Sequence, residues 1–177
     1  MAPGVRKLAL TAHVMSSVGW LGAVAASVAL GVAGLVSQDP QVVRGVYLTM
    51  ELMGWYVLLP LSVASLLSGL VQALGTQWRL LWHYWVLAKL LINVFAIGVL
   101  LLYMQTLSNL AGLAATTPAD ELHELRSPSP LAHGIIALLL LAVAATLSIY
   151  KPRGMTRYGQ RKQHEQHAMP ETGRTGR

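Results

Sequence analysis

Four stretches of the chain, residues 8–36, 46–74, 82–110 and 131–150, each run for twenty residues or more with almost no ionisable side chain. A hydrocarbon core about 30 Å thick is crossed by about 20 helical residues rising 1.5 Å each. Every stretch is therefore long enough to span a membrane, and the first three can also tilt or continue into the interface. Backbone groups in lipid must be satisfied within the protein, and runs rich in Leu, Ala and Val without polar–apolar alternation point to helices and away from barrel strands. The expected fold is all-α: a polytopic membrane protein whose residues 1–150 form an antiparallel four-helix transmembrane bundle, up-down-up-down, with a basic, largely disordered tail at 151–177. Composition agrees, since 54% hydrophobic and only 11% charged residues, with a mean hydropathy of +0.52, lie outside the balance of a soluble domain.

The first stretch also has features of a signal peptide, because Arg6-Lys7 precede it and Ala23-Val24-Ala25 is a small-residue triplet. Its apolar run continues through SVALGVAGLV, past the 7 to 15 residues usual for such a region, and it is read as a retained span. Absence of cysteine removes disulfides, thiolate metal sites, iron–sulfur clusters and cysteine nucleophiles. No nucleophile–base pair, phosphate-binding glycine loop or carboxylate dyad is visible either.

Lys and Arg in short flanks set the expected orientation. With a cytoplasmic N-terminus, Arg6, Lys7, Arg79, Lys151, Arg153, Arg157, Arg161 and Lys162 lie inside, against Arg44 and Arg126 outside. Both termini are then cytoplasmic, and AGLAATTPADELHELRSPSP at 111–130, carrying Asp120, Glu121 and Glu124, faces outward, with ADELHELR either a short amphipathic surface helix or a solvated loop. Within the tail, the basic segment 151–162 is expected to meet anionic lipid headgroups, at about 1 kcal/mol for each cation, with no nucleic-acid partner. HEQH at 164–167 is one residue short of the spacing that sets two zinc-binding histidines on one helical face.

Inside the spans the informative residues are His13, Glu51, Lys89 and His133, because an ionisable side chain at membrane depth costs at least about 2.5 kcal/mol without a partner or a task. Counting the helical rise from Lys7 and from His83 puts His13 and Lys89 in one layer, roughly 9 Å in from the cytoplasmic side. Glu51 and His133 form a candidate second polar pair near the outer side. Helical spacing lines up His13, Ser16, Ser17, Trp20 and Ser27 on the first span, and Lys89, Asn93, Ala96, Leu100 and Tyr103 on the third, as faces turned to the bundle. On the second span Ser62, Ser65, Ser68 and Gly69 form a small-residue stripe for close packing, preceded by a kink at Pro60.

His-x6-Trp-x-Gly on the first span (His13, Trp20, Gly22) and Trp-x3-Lys-Leu on the third (Trp85, Lys89, Leu90) resemble the corresponding helices of the HemJ-type protoporphyrinogen oxidases, of the copper-resistance protein D group, and of uncharacterised four-helix membrane proteins of the bacterial cell membrane. The ending YKPRGMTRYG looks most like those last. In place of the Leu-Pro-Arg-Leu element that follows the first-helix tryptophan in the HemJ type stands AASVALG. The resemblance implies haem b as cofactor, with His13 and Lys89 essential. Chemistry allows it: a neutral imidazole is a common axial ligand to haem iron, and here it would have Trp20, Lys89 and Asn93 about it, with Lys89 as a counter-charge to a propionate or as a second ligand. His13 and His133, near opposite surfaces, are not expected to hold one iron. Three functional classes stay open: a haem-binding redox protein; a small-ion or metal transporter depending on Glu51 and His133, which with four spans would act as a homo-oligomer; and a structural or accessory membrane protein in which His13 bonds to serines and Trp20 while Lys89 snorkels to the interface.

Overall fold

A computed structural model describes residues 2–75 and 84–150. Arg79, His83 and the tail, with its basic segment 151–162 and HEQH, lie outside the described residues. The first helix, α1 (Pro3–Val36), has proline in its first turn, where a missing N–H costs nothing. A three-residue connection leads to Asp39, whose carboxylate accepts a hydrogen bond from the Gln41 N–H at 2.8 Å and so caps α2 (Pro40–Met53). A π-helical turn, Gly54–Leu58, passes directly into α3 (Leu59–Gly75), so that α2 and α3 form one span. Beyond come α4 (Tyr84–Thr116), a 3-10 turn at Leu122–Leu125, and α5 (Ser129–Tyr150). The described residues are all-α, and their four long apolar helical segments make this a multi-pass membrane protein.

Proline explains the π turn. Pro60 has no N–H to give to Tyr56, four residues back, and its ring crowds that carbonyl. Widening the helix over Gly54–Leu58 relieves the crowding, so the kink read from Pro60 takes the form of a π turn just upstream of it. The turn also directs Gly54 at α4, where a Cβ on it would overlap Met104 Sδ and lie 2.6 Å from Cε.

The helices form an antiparallel ring in which α1 packs on α2–α3 and on α5, and α4 closes the ring between them. Trp20, Val24, Leu58, Ala96 and Leu141 meet in a central cluster to which all four spans contribute. Small residues allow close approach between α1 and α5: a Cβ on Gly31 would lie 3.2 Å from Leu131 Cα, and one on Gly134 would lie 2.9 Å from a Val28 methyl. The outward faces carry exposed Leu, Val, Ile and Phe, the surface that contacts the lipid bilayer.

Over its described residues α5 runs for 22 residues, about 33 Å, close to the hydrocarbon thickness. Its neighbours overshoot it. Tyr103, thirteen residues before the end of α4, stacks on His133, only four residues into α5, with ring centroids 4.0 Å apart. The end of α4 thus rises roughly 14 Å beyond the start of α5. The segment 117–128 runs back down this difference against α2, burying Leu122 with Val43, Tyr47 and Ala114. Polar bonds secure it: Tyr47 donates its hydroxyl to the Leu125 carbonyl at 2.9 Å and accepts from the Ser127 N–H at 3.0 Å. Arg44 donates to the carbonyls of Ala114 at 2.8 Å and Thr117 at 2.7 Å, supplying a cation to the carbonyl-rich end of α4.

Three boundaries differ from the sequence reading. The second span begins at Pro40, not at 46, because Asp39-Pro40 is a capping pair, and Arg44 lies on the helix. The third continues to Thr116, not to 110, since Ala111 and Ala114 are buried and Arg44 caps the last turn. Residues 119–126 do not form one amphipathic helix; only Leu122–Leu125 are helical, as a 3-10 turn anchored by buried Leu122.

Candidate cofactor-binding layer

His13 is half-buried on α1 and faces α3, where the chain offers serines and a glycine on one stripe. Its Nδ1 lies 3.0 Å from the Ser65 carbonyl oxygen and 3.2 Å from the Ser68 hydroxyl. A carbonyl can only accept, so Nδ1 carries the proton. Ser68 gives its own hydrogen to the Ala64 carbonyl at 2.6 Å, leaving a lone pair for the same donor. In the neutral ring the unprotonated nitrogen is then Nε2. Gly69 lies against the ring, since a Cβ there would be 3.1 Å from His13 Cε1. The seam continues on both sides, with Ser17 and Ser65 hydroxyls 2.7 Å apart and Gln72 donating to the Ala9 carbonyl at 3.2 Å.

Lys89, on α4, extends across to α5. Its ammonium donates to Ser148 Oγ at 3.0 Å and sits 4.7 Å from the centre of the Trp85 ring, one turn back on its own helix. Ser148 is two residues from Tyr150, the last described residue of α5, so the Lys89–Ser148 contact lies toward that end of the described helix. Asn93, one turn further along α4, is half-buried and makes no side-chain hydrogen bond among the described residues.

Other singled-out residues lie elsewhere. Trp20 is buried in the central cluster, two turns from His13 and about 10 Å along α1, so it supports the layer from below and is not part of it. His133 is at the opposite end, fifteen residues from Ser148 on the same helix, roughly 22 Å away. Its Nδ1 is 2.9 Å from the Ser129 carbonyl, and its ring stacks on Tyr103, which donates to Ser129 Oγ at 3.3 Å. Glu51 is half-buried on α2 and makes no hydrogen bond or ion pair with His133; α2 and α5 are across the ring from one another. Ser148 and Gln72 were not singled out by the sequence. Only the helical spacing of Trp85 and Lys89 was available there, and it says nothing of a partner on another span.

Among the described residues no three His, Cys, Asp or Glu side chains gather as a metal site. What the described residues offer in this part of the bundle is one imidazole whose Nε2 is unprotonated in the neutral ring, together with the Lys89 ammonium and the Asn93 amide on α4. Comparison with known proteins returned nothing: no family model, curated protein or solved structure is similar to the chain.

Proposed function

We propose that the protein is a haem b-binding redox protein of the bacterial cell membrane, with both termini cytoplasmic and His13 Nε2 as the nitrogen that would hold the iron. One observation supports the reading: the Nδ1–H of His13 donates to the Ser65 carbonyl, the kind of hydrogen bond that fixes a metal-binding histidine's tautomer and ring orientation. In this reading Lys89 would neutralise a propionate, and Asn93, one turn further along α4, would offer a donor. Bound haem would supply one-electron chemistry at iron; the chain's own residues bind and orient it and hold a compensating charge. The excess of Lys and Arg in the flanks assigned to the inside supports the orientation. The resemblance of the first and third spans to HemJ-type helices points the same way.

Protein expressed with ample haem and purified in mild detergent is expected to show a Soret band and sharpened bands on reduction with dithionite. His13→Gln removes the band or changes the spin state, because an amide can replace the hydrogen bonds of imidazole but not its ligation. Lys89→Met reduces haem retention, and His133→Gln leaves the spectrum unchanged. Wild-type protein without haem overturns the proposal, as does loss of haem in His133→Gln alone.

A further inference from the structure

At the loop end of the bundle a cleft of about 300 Å³ opens between the α1–α2 connection and the segment that follows α4, lined by Gln38, Pro40, Val43, Asp120, Leu122 and Arg126. It belongs to the end opposite His13 and owes nothing to the layer described above. Arg126 donates from Nη2 to Gln38 Oε1 at 3.1 Å, and both residues line the cleft. Its Nε is buried and has no acceptor among the described residues. An unmet donor on a charged group is costly, and a guanidinium that lines a cleft is a ready partner for an oxyanion through its N–H donors.

The rest of the lining restricts the ligand further. Asp120 also lines the cleft, and a carboxylate has acceptor positions for more than one donor. That charge disfavours a simple anion and favours a molecule with a cationic group beside its anionic one. Pro40, Val43 and Leu122 supply an apolar floor. The cleft lies on the stretch where α4 overshoots α5, the level of the headgroups if α5 marks the hydrocarbon. We infer that the cleft between residues 38–43 and 119–126 binds a zwitterionic phosphodiester of the phosphoethanolamine class, its phosphate on Arg126 and its ammonium on Asp120.

The test is the melting midpoint of full-length protein in detergent, titrated with four probes: dihexanoyl phosphatidylethanolamine, glycerophosphoethanolamine, dihexanoyl phosphatidylglycerol and inorganic phosphate. Saturable stabilisation by the ethanolamine compounds is expected, because a ligand of the folded state raises the midpoint by mass action. Arg126→Gln should weaken their apparent affinity by about tenfold or more, the size of a lost charge-assisted bond. Asp120→Asn, a change at an exposed site, should weaken the ethanolamine compounds and leave the glycerol lipid as it was. Stabilisation by the lipid but not by glycerophosphoethanolamine identifies a membrane headgroup as the source; equal stabilisation identifies a soluble phosphodiester. The inference is overturned if wild type responds to no ethanolamine compound, if inorganic phosphate binds as tightly as they do, or if neither substitution alters binding.

Discussion

Gly54→Leu is expected to cause the largest loss of folded protein of any single substitution between the spans. A Cβ at this position already overlaps Met104 Sδ, and Met104 is fully buried, so its side chain has no adjacent space to enter. Leucine adds further carbons toward Leu107, whose Cδ2 would lie 3.6 Å from that Cβ. Overpacking of this kind costs about 3 kcal/mol, which for a chain of this size lowers the melting midpoint by roughly 6–12 °C. Gly54→Ala with Met104→Ala should recover part of what Gly54→Ala loses, because shortening the methionine vacates the volume that the new methyl group needs. Thermal unfolding in detergent, followed by the fraction eluting as a monodisperse species, measures both. An unchanged midpoint for Gly54→Leu would mean that the π turn does not seat Gly54 against α4.

Arg44→Leu should release the segment 117–128 and leave the bundle below it assembled. The guanidinium holds two carbonyls at the end of α4, and hydrogen bonds to a charged donor contribute about 1.5–3 kcal/mol each. Because these bonds lie at the rim, about 3 kcal/mol is lost mainly as local opening. Trypsin should then cut after Arg126 much faster than in wild type, with little change in helix content. Arg44→Lys should recover only part of the protection, since an ammonium cannot span both carbonyls as a planar fork does. A cleavage rate equal to that of wild type would remove Arg44 from this role.

What could be read from the chain depended on whether a signal lay along one helix or between two. Long apolar runs identified the four spans, and periodic spacing placed Ser16, Trp20 and Ser27 on a buried face. Charge misled at Arg44, which resembles a loop cation until its acceptors seventy and more residues away are known. The helical extension through Ala114 was obscured for the same reason, because only packing on α2 distinguishes it from a polar loop. Pro60 was legible as a disturbance, but the π turn that accommodates it depends on Gly54 fitting beside Met104.

The candidate layer divides in the same way. His13 and Lys89 stood out because each is costly in lipid, whereas Ser65 and Ser148, the groups that hold them, are ordinary serines 52 and 59 residues away. Helix rotation and tilt decide such pairs, and neither is encoded in the spacing within one span.

The central claim is that His13 presents a bare Nε2 because its Nδ1–H is held in a hydrogen bond to the Ser65 carbonyl, and nitrogen-15 NMR of histidine-labelled protein measures it directly. Comparing wild type with His13→Gln assigns the signal. The account predicts a proton on Nδ1 and none on Nε2 in haem-free protein at neutral to mildly alkaline pH, followed by loss of the Nε2 resonance to paramagnetic broadening when haemin is added. A proton on Nε2, or an Nε2 resonance that haemin leaves unchanged, would contradict it.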